Sequence, residues 1–113
     1  MAARRYAARA TRYAIPLAVF YRTPGDLIWS EGRTENISKS GVLVRGDRAM
    51  PPNADVEILL NIPANVTTPF AGTTLCRGRI VRAVESSALE NRPAFAAAIL
   101  EFETTHLIDP RRI

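Results

Sequence analysis

With 113 residues and 47% hydrophobic content, the chain can close one core but cannot hold a catalytic domain beside a regulatory one, so one domain is expected. Lys and Arg number 15 against 11 Asp and Glu; the formal charge of +4 favours an anionic partner without choosing among nucleotide, nucleic acid and membrane. All the basic residues except Lys39 are Arg, whose planar fork can grip a phosphate or a guanine edge at two points. A single cysteine, Cys76, supplies neither a disulfide framework nor a paired metal ligand, and reads as a buried, inert thiol in a reducing cytoplasm.

Residues 1–12 are rich in Ala and Arg and hold little that could enter a core. They read as a flexible arm, with Arg5, Arg9 and Arg12 on one face if the segment turns helical. From residue 15 the pattern changes to period two. Ile15, Leu17, Val19 and Tyr21 alternate with Pro16, Ala18 and Phe20, a strand with Pro16 at its entry. Thr23-Pro24-Gly25-Asp26 is a turn, and a second strand is expected from about Leu27 through Arg33 and Thr34. Residues 42–45 form a short third strand, ended by Gly46-Asp47 and Pro51-Pro52-Asn53. Residues 55–62 alternate again, with Val56, Ile58 and Leu60 on one face. Residues 63–72 are a loop. A fifth strand runs over 74–85 with Arg77, Arg79 and Arg82 projecting, and a sixth over 94–103. Trp29 and Phe102 are expected in the core, because large aromatics in alternating strands usually face inward. Six strands joined by polar turns, with no strong helix signal, predict an all-β protein: a compact antiparallel barrel over residues 13–103, an arm over 1–12 and a short C-terminal tail over 104–113.

Two short motifs stand out against this frame. Arg5-Tyr6-Ala7-Ala8-Arg9 is R-x-x-x-R, and Asn36-Ile37-Ser38-Lys39-Ser40-Gly41 is N-x-S-x-x-G about thirty residues later. Taken alone, the second reads equally as an ordinary hairpin turn, since Asn and Ser side chains commonly close turns onto their own backbone. Together, in this order around the alternating segment 15–22, the two motifs resemble the signature of the PilZ domain, a family of receptors for the bacterial second messenger cyclic di-GMP. The resemblance implies a six-stranded PilZ-like barrel and a nucleotide-binding role in bacterial second-messenger signalling. It also implies that Arg5 and Arg9 bind guanine edges and phosphates, while Asn36, Ser38 and Gly41 line the barrel surface facing one guanine. By the same resemblance Arg4 could govern whether one or two stacked ligands bind, with a ligand-linked dimer as a consequence. Arg82 lies on the strand where family members carry a stacking side chain; an exposed strand arginine is the plainer reading of it. The last strand departs from the family pattern, with Ala where a Gly is common.

Other functions have less material. His106 is the lone histidine, so multi-histidine metal sites and histidine triads are not expected. Glu31, Glu35, Glu57, Glu85 and Glu101 are spread along strands and read as solvated faces; no phosphate-binding glycine loop occurs. The expectation is therefore a non-enzymatic, cytoplasmic receptor that needs no cofactor or metal, binds cyclic di-GMP and signals to a downstream protein effector, with no membrane insertion. Two alternatives stay open. One is a ligand-free adaptor of the same fold working by protein contacts, and the less favoured is a basic barrel for single-stranded nucleic acid, for which only Phe20 and Tyr21 beside arginine give a hint.

Overall fold

The structure, a computed structural model, describes residues 16–38, 40–62, 72–84 and 91–104. Six strands follow one another: β1 (Ala18–Arg22), β2 (Ser30–Ile37), β3 (Gly41–Gly46), β4 (Asp55–Ile62), β5 (Gly72–Val84) and β6 (Ala94–Thr104). Every neighbouring pair is antiparallel, and the strands close in the order β1-β2-β3-β6-β5-β4. This is the expected all-β barrel, and no described residue is helical. The expected arm over 1–12 lies outside the described residues, as does the expected tail beyond Thr104.

Period-two alternation becomes an inside and an outside once the sheet closes. Ile37, Val42, Ala97 and Ile80 stand in register across β2, β3, β6 and β5, all buried, and form one inner rung of the barrel. Val19, Tyr21, Val44, Met50, Val56, Ile58, Leu60, Cys76 and Phe95 are the other buried members of the core among the described residues. Full burial of such a side chain contributes about 1.5–3 kcal/mol, so these residues are the main source of stability. The Tyr21 and Phe95 rings meet at 5.0 Å between centroids, tilted by 60°. The Tyr21 hydroxyl both donates to the Arg48 carbonyl at 2.6 Å and accepts the Arg48 N–H at 2.8 Å, fastening the segment after β3 to the core. Tyr21→Phe leaves both backbone groups without that partner and is expected to cost about 1–3 kcal/mol. A urea midpoint identical to that of the parent would refute this.

Several expectations need correction. β2 begins at Ser30, not near Leu27; Leu27 and Ile28 belong to the preceding connection and are 92% and 77% exposed. That connection starts with the expected turn, where the Asp26 N–H donates to the Thr23 carbonyl at 3.0 Å. Because Trp29 precedes the strand, alternation does not carry it inward. It lies half-buried beneath the Arg22 guanidinium, 4.1 Å from the ring centroid, a cation–π contact rather than core packing. Phe102, in contrast, packs against the core.

Glu57 is not merely a solvated strand residue. Its side chain is 15% exposed and meets Arg22 Nε at 2.9 Å and Arg77 Nε at 3.8 Å, while Arg77 also approaches Glu101 and Glu103. Arg22, Glu57, Arg77 and Glu101 face one another in register across β1, β4, β5 and β6, a cross-strand ladder of alternating charge. Each exposed pair contributes only about 0–1 kcal/mol, but a one-residue slip would break them all, so the ladder favours one register. Leu59 and Leu75 are buried on the outward face beside Phe20, which extends apolar packing beyond the Val56–Ile58–Leu60 face. Tyr21, wholly buried, cannot offer the exposed stacking surface that the nucleic-acid reading needed.

Cys76 faces the core at 2% exposure, and burial pushes its thiol from the usual 9.0 up to about 12. The folded state therefore holds the proton more tightly than the unfolded chain. Its contribution to stability is complete below about pH 9 and is lost as the pH rises toward 12. A thiol reagent near neutral pH is expected to label Cys76 only after denaturation, because the thiolate is the reactive form. Rapid labelling of the native chain would contradict this.

Candidate functional site: a groove on the outer wall

The outward face of β2, β3, β6 and β5 carries a second set of rungs, complementary to the buried ones. Asn36, Leu43, Ala96 and Arg82 stand in register across the four strands, none of them buried. Two residues along, Gly41, Ala98 and Arg79 form the next rung. Two irregularities set these rungs. Glu35 is an extra residue in β2 opposite β3, and Arg45 holds it, with Nε–Oε2 at 2.6 Å and a further bond from Arg45 to the Arg92 carbonyl at 2.8 Å. Val81 is an extra residue in β5 opposite β6. Such bulges re-aim side chains, and here they bring Asn36 and Arg82 to opposite ends of one rung.

Over these rungs lies a groove of about 710 Å³. Asn36, Ser38 and Gly41 of the second motif line it together with Arg82, so the structure brings four of the expected site residues to one place. Ser38 also builds the turn between β2 and β3. Its N–H donates to the Gly41 carbonyl at 2.9 Å, and its Oγ accepts the N–H groups of Ser40 at 3.3 Å and Gly41 at 3.2 Å. With both acceptor positions engaged, the Ser38 hydroxyl keeps a rotatable proton, which lies within reach of Ser40 Oγ and the Gly41 carbonyl at 3.3 Å each. The turn reading and the lining reading of this motif therefore describe the same residues. At Gly41 a Cβ would come within 3.2 Å of the Ala97 carbonyl, so the glycine allows β3 and β6 to approach closely at the groove floor.

Arg82 is exposed, and among the described residues no carboxylate lies within ion-pair distance of it, whereas Arg22, Arg45, Arg48, Arg77, Arg79 and Arg92 each meet one. As far as the described residues go, its cation is open to an external anion or a base edge. Arg4, Arg5 and Arg9 lie outside the described residues. Leu43, Val81, Ala96 and Ala98 also line the groove, and sequence reasoning did not single them out. Alternation could have indicated the outward face of β3 and β6. Nothing in the residue pattern announced the bulge at Val81.

The last strand carries alanine where the family pattern has glycine. Ala97 packs in the core at 2% exposure, and the close approach between β5 and β6 is made at Gly78, against the Ala98 carbonyl.

A barrel whose interior is filled by side chains, and whose outer wall carries a groove at one hairpin, defines a class of small closed β-barrels that could receive a ligand on the wall and not within. The chain belongs to the PilZ domain family, whose model matches residues 3–105. Its fold is similar to that of the inhibitor of motility MotI/DgrA of Bacillus subtilis, with a TM-score of 0.66 at 12% identity over 84% of this chain. The match spans 43% of the MotI/DgrA chain, so the present chain corresponds to less than half of that protein. No curated protein matches the chain significantly.

Proposed function

We propose that this chain is a cytoplasmic, non-enzymatic receptor that binds cyclic di-GMP in the groove on β2, β3, β6 and β5. The observation that carries the reading is the meeting in one groove of Asn36, Ser38 and Gly41 with Arg82, which meets no carboxylate among the described residues. Two purine bases and two phosphates need donors for a guanine edge, positive charge, and backbone that comes close, and the groove offers each of these. Asn36 can address a base edge, Gly41 allows close approach, and Arg82 can stack on a base or hold a phosphate. Arg5 and Arg9, by their match to the family motif, would clamp the ligand from the other side, and Arg4 would serve a second, stacked ligand molecule. Bridging residues 1–12 to the barrel would present a new surface to a protein effector, and a stacked ligand pair could join two chains.

The test is isothermal titration of the chain with cyclic di-GMP, with GTP and a short single-stranded oligonucleotide as comparisons. Saturable binding of cyclic di-GMP, with much weaker binding of the other two, is expected. No heat with cyclic di-GMP, or preference for the oligonucleotide, would overturn the reading.

A further inference from the structure

We propose that Ala96 and Ala98 on β6, with the bulged Val81 as side wall, form a seat on which one planar base of the ligand stacks. The small size of the two alanines, outside both sequence motifs, decides whether the groove admits that base. This rests on the cyclic di-GMP reading of the groove and adds which part of the ligand lies where.

The two outer rungs place polarity at the ends and none in the middle. Asn36 stands at one end and Arg82 at the other, and between them β3 and β6 present only Leu43, Gly41, Ala96 and Ala98. Neighbouring strands are about 4.8 Å apart, so the apolar middle, from β3 across β6 to β5, spans roughly 10 Å. A phosphate or a ribose hydroxyl set there would give up hydrogen bonds to water and find no side-chain partner on β3 or β6. The face of a purine asks for none, and its edge would then point toward Asn36 or Arg82, where donors and acceptors stand. The chemistry of the floor thus selects the base face and leaves the phosphates to the arginines.

The third side of the seat comes from the bulge. Regular alternation from the buried Ile80 would send Val81 outward and Arg82 inward, but the extra residue sends both outward. Val81 is 60% exposed beside the groove, an apolar wall next to a cation. A base lying on the alanines would cover that valine while its π-face or edge remains within reach of the Arg82 plane. The floor must also be low. Ala96 and Ala98 are half-buried methyl groups in outward positions, so a longer side chain at either would project into the space the base takes, without entering the core.

Two measurements decide the matter. In titrations with cyclic di-GMP, Ala98→Leu and Ala96→Leu are expected to bind roughly tenfold or more weakly than the parent, with melting temperatures close to it. In methyl NMR of the parent chain, saturation with cyclic di-GMP should move the Ala96, Ala98 and Val81 methyl resonances upfield, as a ring current directly above them requires. If the parent binds, but the leucine variants bind equally well and these methyls do not move, the stacking seat is wrong and the receptor reading stands. If the parent does not bind, both fall. A leucine variant that fails to fold leaves the methyl shifts of the parent as the deciding result.

Discussion

Alanine in place of Arg5 or Arg9 is expected to weaken cyclic di-GMP binding by about ten- to a hundredfold, the equivalent of removing a charge-assisted hydrogen bond of about 1.5–3 kcal/mol. The melting temperature of the ligand-free protein should stay nearly unchanged. Among the described residues, Val19 and Tyr21 on β1 begin the buried set, and Leu17 is the earliest that packs against it. The two measurements together distinguish a ligand contact from a structural one. A lost contact lowers affinity and leaves the melting curve in place, whereas a structural residue lowers both. Parent-like affinity in both variants would remove Arg5 and Arg9 from the site, and the groove would then have to bind with Arg82 as its cation.

The largest effect on folding is expected at Gly78. This glycine is buried where β5 shifts register against β6, and a Cβ on it would collide with the Ala98 carbonyl oxygen and sit 3.2 Å from the carbonyl carbon. A side chain in the way could rotate aside. These are backbone atoms of the barrel wall, so relief requires the two strands to move apart. Overpacking of a well-filled interior typically costs 1–3 kcal/mol; a clash with backbone puts Gly78→Ala at about 3 kcal/mol or more, against about 5–15 kcal/mol of total stability for a typical domain. Guanidinium unfolding monitored by far-UV circular dichroism measures this directly, and an unshifted midpoint would show that the strands separate without cost.

The number of strands and the inward faces of β1 and β4 were legible from period two and the turn residues between the runs, because a strand that buries one face must alternate: Val19 and Tyr21, then Val56, Ile58 and Leu60, are inward as expected. The start of β2 was not legible. Leu27, Ile28 and Trp29 are apolar and strand-forming in composition, yet among the described residues no strand pairs with them, and pairing is a property of the fold and not of the segment. Glu57 was misread for a related reason: its partners Arg22 and Arg77 lie 35 and 20 positions away and meet it only through the β1–β4 and β4–β5 ladders. The second motif gave Asn36, Ser38 and Gly41, since a motif is local and its spacing survives in the sequence. The floor of the groove did not emerge, because Ala96 and Ala98 gain meaning only beside Leu43 and Arg82, which other strands supply.

Closure of the barrel depends on two pairings between strands far apart in the chain, β1 with β4 and β3 with β6. Non-local pairing of this kind makes folding slow, because loop-closure entropy is lost before the contacts that compensate for it can form. During synthesis the chain leaves the ribosome from its N-terminus, so β3 and β5 are complete before the strand that joins them exists. Until Thr104 has emerged, each presents an unpaired edge able to join another chain, and the nascent protein passes through a window in which aggregation competes with folding. The groove shares that schedule. Since β6 is both the closing stave and the floor beneath the proposed ligand, the binding surface comes into being in the same event that removes the last open edge.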